Sequence, residues 1–219
     1  MSSLALMRWL ESAPDRYDRG MRWLTFGRVG ALHEAVALAA VAAPGARVLE
    51  VGCGTGAVTQ RLLARGARVL AIDQDPRMLD QTRERVARSG PPGAALELRE
   101  TTAAEIDRLG SDFDAVVLCL CLSDMSPDER AFVLRASAGR LRPGGRVVAG
   151  DEVHASGRAA RWLQRLWRAP QAAAGWLLVG SVSNPVPDLA GELRAAGFRI
   201  EKQQRWLMGT LACVEAVAP

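Results

Sequence analysis

The segment Val48-Leu-Glu-Val-Gly-Cys-Gly-Thr-Gly56 restricts the fold more than any other stretch of the chain. Arg47 to Val51 is a compact apolar run that reads as a buried strand, and Ala57 to Arg65 continues as a helix with Val58, Leu62 and Leu63 on one side. Between them Gly52, Gly54 and Gly56 form a turn in which the backbone can take positive φ and a ligand can approach without meeting a Cβ. A buried strand entering a helix through such a turn opens an α/β sheet, whose ligands lie beyond the carboxyl ends of the strands. The turn alone does not name its ligand. Gly52-x-Gly54-x-x-Ala57 also fits the dinucleotide fingerprint, and a purely structural glycine turn is a third reading.

The alternation continues along the chain. Val69–Ile72 reads as a second strand, and Pro76 opens a helix whose apolar stripe is Met78, Leu79, Thr82 and Val86. Ala94–Leu98 is a third strand, and Phe113–Leu120, apolar on both faces, is a fourth suited to the sheet centre. Ser126-Pro-Asp-Glu129 is a capping box before a helix carrying Phe132, Val133 and Ala136 and ending near Arg140. Arg142-Pro-Gly-Gly145 turns into a fifth strand, Arg146–Ala149. Pro187–Ala196 is a helix with Leu189, Leu193 and Ala196 inward, followed by strands at Phe198–Arg205 and Met208–Ala216. The pattern predicts a doubly wound, mostly parallel α/β sheet with helices on both faces, and 219 residues suit a single domain, 1–219. Two regions fall outside it: a helical arm, 1–45, with Leu32, Val36, Ala39 and Ala40 on one side, and a helical insertion, 155–183. Placed near the ligand edge, both can serve as lids that choose the substrate.

Composition narrows the partners. The net charge is +4, but Lys202 is the only lysine, and the arginines are spread over helix faces, which argues for solvation rather than a nucleic-acid footprint. Four cysteines without a C-x-x-C pair suit a reducing, cytoplasmic setting, and neither they nor His33 and His154 have metal-ligand spacing. The N-terminus lacks a signal-peptide pattern, and Ala172–Val182, the longest apolar stretch, is shorter than the ~20 residues that span a bilayer. Trp162 and Trp167 among Arg158, Arg161, Arg165 and Arg168 make a basic amphipathic helix, a pattern shared by peripheral membrane contact, a covered core and a homodimer interface.

Three features join the glycine turn: Glu50 on the strand before it, Asp73 ending the second strand 21 residues after Gly52, and Arg142-Pro-Gly-Gly-Arg146. Asp73 stands where a carboxylate accepts hydrogen bonds from ribose hydroxyls. With LEVGCGTG, the AID ending at Asp73, FDAVV at 113–117 and LRPGG at 141–145, the chain resembles the class I, seven-stranded S-adenosylmethionine-dependent methyltransferases over roughly residues 17–151. Within them it is similar to small-molecule enzymes such as the quinone methyltransferases. The resemblance implies S-adenosyl-L-methionine as methyl donor, S-adenosyl-L-homocysteine as product, and a final antiparallel strand beside the fifth. It further implies that Gly52, Gly54 and Gly56 face the methionine and ribose portions, that Glu50 supports that end, and that Asp73 holds the ribose. Gln74 and Met78 border the adenine; Thr102 and Ala103 take the place of a common Asp-Ala pair; the Cys119 backbone faces the methionine part. By the same resemblance Tyr17 and Arg28 in the arm would meet the methionine carboxylate, the alternative being that Tyr17 packs the arm and Arg28 is a surface charge. Thr102 is a departure, since a hydroxyl replaces a carboxylate.

Methyl transfer from a sulfonium is an in-line displacement that alignment and exclusion of water accelerate. Candidate bases at the carboxyl edge are Asp124, Asp151 with its neighbour Glu152, and His154; for each, a capping or solvated role is the alternative. The expected activity is methyl transfer to a small apolar or aromatic acceptor. A nucleic-acid methyltransferase is disfavoured because Leu122-Ser-Asp-Met125 replaces the (D/N/S)-P-P-(Y/F) motif. The other readings are a non-catalytic S-adenosylmethionine-binding partner subunit, an NAD-dependent dehydrogenase, and a corrinoid-associated methyltransferase suggested by ALHEAV, LCLSDM and the Asp-Glu-Val at 151–153.

Overall fold

The computed structural model describes residues 27–155 and 184–218. Tyr17, the first part of the arm and the tryptophan-bearing insertion lie outside them. Five helices and seven strands follow in the order α1 (Val29–Ala40), β1 (Arg47–Val51), α2 (Ala57–Ala64), β2 (Arg68–Asp73), α3 (Pro76–Ser89), β3 (Leu96–Glu100), β4 (Phe113–Cys119), α4 (Pro127–Ala138), β5 (Leu141–Glu152), α5 (Leu189–Ala195), β6 (Arg199–Trp206) and β7 (Leu211–Val217). The strands form one sheet in the order β3-β2-β1-β4-β5-β7-β6. Only β7 is antiparallel to its neighbours, wedged between β5 and β6, as the resemblance implied. Chain order reverses between β1 and β4, which places the topological crevice above the glycine turn.

Side chains alternate across the sheet, and both faces are buried. Leu49, Val51, Val116, Leu118, Val147 and Ala149 join the core beneath α4 and α5. Val48, Ala115, Val117 and Val148 join the opposite core with Leu32, Val36, Leu62 and Leu79 from α1 to α3. Val116, Val117 and Leu118 are all fully buried, so β4 is the central strand that its uninterrupted apolar run predicts.

Several local expectations are corrected. The fifth strand begins at Leu141: Phe113 pairs with Leu141 and Ala115 with Arg146, so Arg142 to Gly145 bulge out of a continuing strand, with Gly144 at φ +73°. Strand β3 lies two residues later than its apolar run, and α5 starts at Leu189 because the Asp188 carboxylate accepts from the Gly191 amide and caps it. On α4, Phe132 is exposed; the inward positions are Arg130, Val133, Leu134 and Ser137. The Arg130 guanidinium is buried by donating to both Glu192 oxygens (2.9 and 3.1 Å) and to the Met125 carbonyl (2.9 Å), which ties α4 to α5. The capping box forms as read: Ser126 Oγ accepts from the Glu129 amide, and the Glu129 carboxylate accepts from that of Ser126.

A glycine sets the height of α1. A Cβ at Gly150 on β5 would lie 2.7 Å from Val36 Cγ2 and 3.0 Å from Leu32 Cδ1, so the helix packs directly on strand backbone. Gly150 is near the carboxyl end of β5, and Leu32 near the start of α1; Arg28, one turn earlier, therefore stands at the ligand edge of the sheet.

Candidate active site

The glycine turn is fixed from three sides. Gly52 and Cys53 both donate their amides to the Ile72 carbonyl on β2 (2.9 and 3.0 Å). Asp73, ending β2, accepts the Gly54 amide on Oδ2 (2.8 Å) and the Asp75 amide on Oδ1 (3.0 Å). From α3, Thr82 Oγ1 donates to the Gly54 carbonyl (2.8 Å) and Arg85 Nε to the Thr55 carbonyl (2.6 Å).

The three glycines have different jobs. All have positive φ, +71°, +53° and +76° in order. A Cβ at Gly52 would lie 2.8 Å from Cys121 Cβ, and one at Gly56 within 3.0 Å of Thr82, its backbone included. Those two are closed by packing. At Gly54 a Cβ meets nothing within 4 Å, so among the described residues the turn is open at this point alone.

Beneath the turn, Glu50 is 2% exposed and accepts a hydrogen bond from Thr59 Oγ1 on α2 (2.7 Å). Burial pushes its carboxyl up to about 8, against the opposing pull of Thr59. The Cys121 thiol donates to the Val51 carbonyl (3.3 Å), and burial raises both it and Cys119 well above the ordinary thiol range. They act as neutral wall atoms, not nucleophiles.

The acidic candidates separate sharply. Asp151 is fully buried; Oδ2 accepts from the Leu122 and Ser123 amides (2.8 and 3.2 Å) and Oδ1 from that of Glu152 (2.7 Å). It joins the end of β5 to the short helical turn Leu122–Asp124 after β4, and has no free face for an acceptor. Asp124 is exposed on that same turn, and crowding by protein, with the Glu152 carboxylate behind it, raises its carboxyl above the usual range. His154 is exposed just past β5; its backbone donates to Val186 and its carbonyl accepts from Arg205.

The remaining expected residues lie around the crevice. Gln74 is exposed and Met78 half-buried beyond β2; Thr102 is exposed and Ala103 half-buried beyond β3; Cys119 ends β4; Arg28 is exposed at the start of α1. Thr59, Thr82, Arg85 and Cys121 are supports that the sequence reading missed. Thr59 had a readable signal, as a polar residue inside the buried stripe of α2; the others are contacts between distant segments.

Residues 48–145 match the family described as methyltransferase domain. That match spans β1 to the bulge of β5, the part of the doubly wound sheet that carries the glycine turn and Asp73. The ubiquinone biosynthesis O-methyltransferase of Xanthomonas campestris pv. campestris (strain B100) is 41% identical to the chain over 108 residues, 49% of this chain and 43% of that protein. The chain thus spans less than half the length of the curated relatives it matches. Among solved structures, the 1,6-didemethyltoxoflavin-N1-methyltransferase of Burkholderia thailandensis, with bound S-adenosylhomocysteine, is similar with TM-score 0.66 at 23% identity, covering 98% of this chain and 88% of its own. Magnesium protoporphyrin IX methyltransferase from Synechocystis PCC 6803 gives TM-score 0.68 at 19% identity, covering 88% and 85%. These likenesses show a shared fold, the doubly wound seven-stranded sheet that the described residues display. No helix among those residues is long and apolar enough to cross a membrane.

Proposed function

We propose that the chain is an S-adenosylmethionine-dependent methyltransferase acting on a small apolar or aromatic acceptor. The observation that carries this reading is the opening at Gly54, where a left-handed backbone with no side chain faces open space and its amide is held by Asp73. A carboxylate has four acceptor sites, so Asp73 can bind the turn and still receive ribose hydroxyls. Gln74 and Met78 on one side, with Thr102 and Ala103 on the other, border the adenine; Gly52 and Gly56 shape the turn; the Cys119 backbone and Arg28 face the methionine end. Tyr17 keeps its proposed place with Arg28. The small-molecule acceptor follows the relatives, which are named for methylation in ubiquinone biosynthesis and of didemethyltoxoflavin.

When bound, the sulfonium supplies a methyl group: its S–CH3 bond breaks with the electron pair staying on sulfur as the acceptor's lone pair forms the new bond. Asp124, exposed at the edge with a raised carboxyl, receives the acceptor's proton; His154 is the alternate base. Asp151 serves by holding the turn that presents Asp124. Residues 1–219 act as one domain, in the cytoplasm, with a homodimer or peripheral membrane contact through 155–183 as further expectations.

Calorimetry tests the donor site. Wild-type protein is expected to bind S-adenosylmethionine, and Gly54→Trp, which puts an indole into the open space, to abolish binding while still melting cooperatively. No heat at millimolar cofactor from the wild type would refute the reading. Glu50 adds a pH signature. A cationic ligand above it favours its ionised form, so binding near neutrality should release a proton, and affinity should rise by up to about tenfold per unit between pH 6 and 7.5. Paired titrations in phosphate and Tris measure the released proton; Glu50→Gln should flatten the profile, and an unchanged profile would show that Glu50 does not sense the ligand.

A further inference from the structure

We infer that the turn joining β6 to β7 is the far wall of the acceptor space, and that Met208 selects acceptors bearing an apolar extension; this rests on the methyltransferase reading above. The turn, Leu207–Gly209, sits at the ligand edge. Leu211 pairs with Glu152 at the carboxyl end of β5, the Val153 amide donates to the Thr210 carbonyl (2.8 Å), and Arg205 Nη1 reaches both the His154 and Gly209 carbonyls (3.4 and 3.3 Å). The wall thus borders the segment that carries Glu152 and His154.

Two properties separate it from an ordinary hairpin turn. Leu207 and Met208 are consecutive non-glycine residues at φ +51° and +52°, ahead of Gly209 at +88°. Such positions favour glycine or asparagine, and side chains kept there against that preference mark functional sites more often than plain connections. Met208 is also 72% exposed, the most exposed large hydrophobic residue among those described. The strain does not come with mobility, since Thr210 donates both its amide and its hydroxyl to the Leu207 carbonyl (3.1 and 2.9 Å). A thioether on a fixed turn is an adaptable apolar contact.

Position sets the length of ligand that can reach it. From β1, which carries the glycine turn, the sheet runs through β4 and β5 to β7, three spacings of ~4.8 Å, or about 14 Å. A lone ring held at the methyl group beside the glycine turn falls short of Met208. A ring with a chain of about six carbons, each advancing ~1.3 Å, reaches it.

The test uses the 4-alkylcatechols from catechol to 4-octylcatechol, with S-adenosylhomocysteine formation as readout. In wild type, KM should fall about two- to fourfold per methylene and level off near hexyl. The KM ratio of Met208→Asn to wild type, asparagine being tolerant of left-handed backbone, should grow at least tenfold from catechol to the hexyl compound. Met208→Leu should restore the chain-length preference. Met208→Gly should melt no lower than wild type while losing that preference, a combination that a merely structural turn does not give. Equal chain-length dependence in wild type and Met208→Asn overturns the inference, as does the absence of turnover with every alkylcatechol. S-adenosylmethionine calorimetry on the same protein then shows whether the methyltransferase reading falls too.

Discussion

Asp73→Ala is expected to weaken S-adenosylmethionine binding by at least a hundredfold while leaving a folded protein. The substitution takes the acceptor from the Gly54 and Asp75 amides, and unpaired part-buried donors cost about 1–3 kcal/mol each. It also removes the proposed ribose contact, a bond to a charged group worth about 1.5–3 kcal/mol. The three losses together exceed the ~2.8 kcal/mol that corresponds to a hundredfold. The turn keeps its ties to Ile72, Thr82 and Arg85, so the fold should survive. Asp73→Asn retains one acceptor oxygen and should fall between. Calorimetry alongside a thermal melt decides the matter, and wild-type affinity in Asp73→Ala would place the cofactor elsewhere.

The largest stability loss is expected at Asp151. Leucine there fits the volume but leaves the Leu122, Ser123 and Glu152 amides without an acceptor at a buried site, a cost of about 3–5 kcal/mol or a melting point lower by roughly 10 °C. Asparagine keeps one acceptor oxygen and supplies the cleaner test through pH. Burial pushes Asp151 up to about 7 from an ordinary 3.8. Because the folded value is the higher one, the native state holds the proton more tightly than the unfolded chain. The stability it contributes is complete below about pH 4 and is lost as pH rises through about 7. The difference in unfolding free energy between wild type and Asp151→Asn should therefore shrink by a few kcal/mol between pH 5 and 8 in urea titrations. Glu50 titrates in both proteins and drops out of that difference. Parallel curves would mean that the three amides, not burial, control the carboxyl.

Much of the proposed donor site was legible along the chain. Strand β1, the glycine turn and Asp73 are encoded within 27 residues, Arg47 to Asp73, by apolar runs, glycine spacing and a carboxylate at a strand end. These are local signals: pleating buries alternate residues, and positive φ demands glycine at the turn itself. The acid assignments were not local. Asp124 and Asp151 look alike in sequence, each a carboxylate just past an apolar strand. Packing separates them, because the turn after β4 folds over the end of β5 and points its amides at Asp151 while leaving Asp124 outside.

The same division holds for the glycine turn itself. Its three glycines are equivalent in the sequence, and the sequence alone determined that the backbone there is free to be left-handed and unencumbered. Only tertiary structure decided which glycine serves what, since Cys121 arrives from β4 to close Gly52, Thr82 arrives from α3 to close Gly56, and nothing among the described residues closes Gly54. Local conformation depends on neighbours in the chain; open space depends on which distant segments fail to fill it.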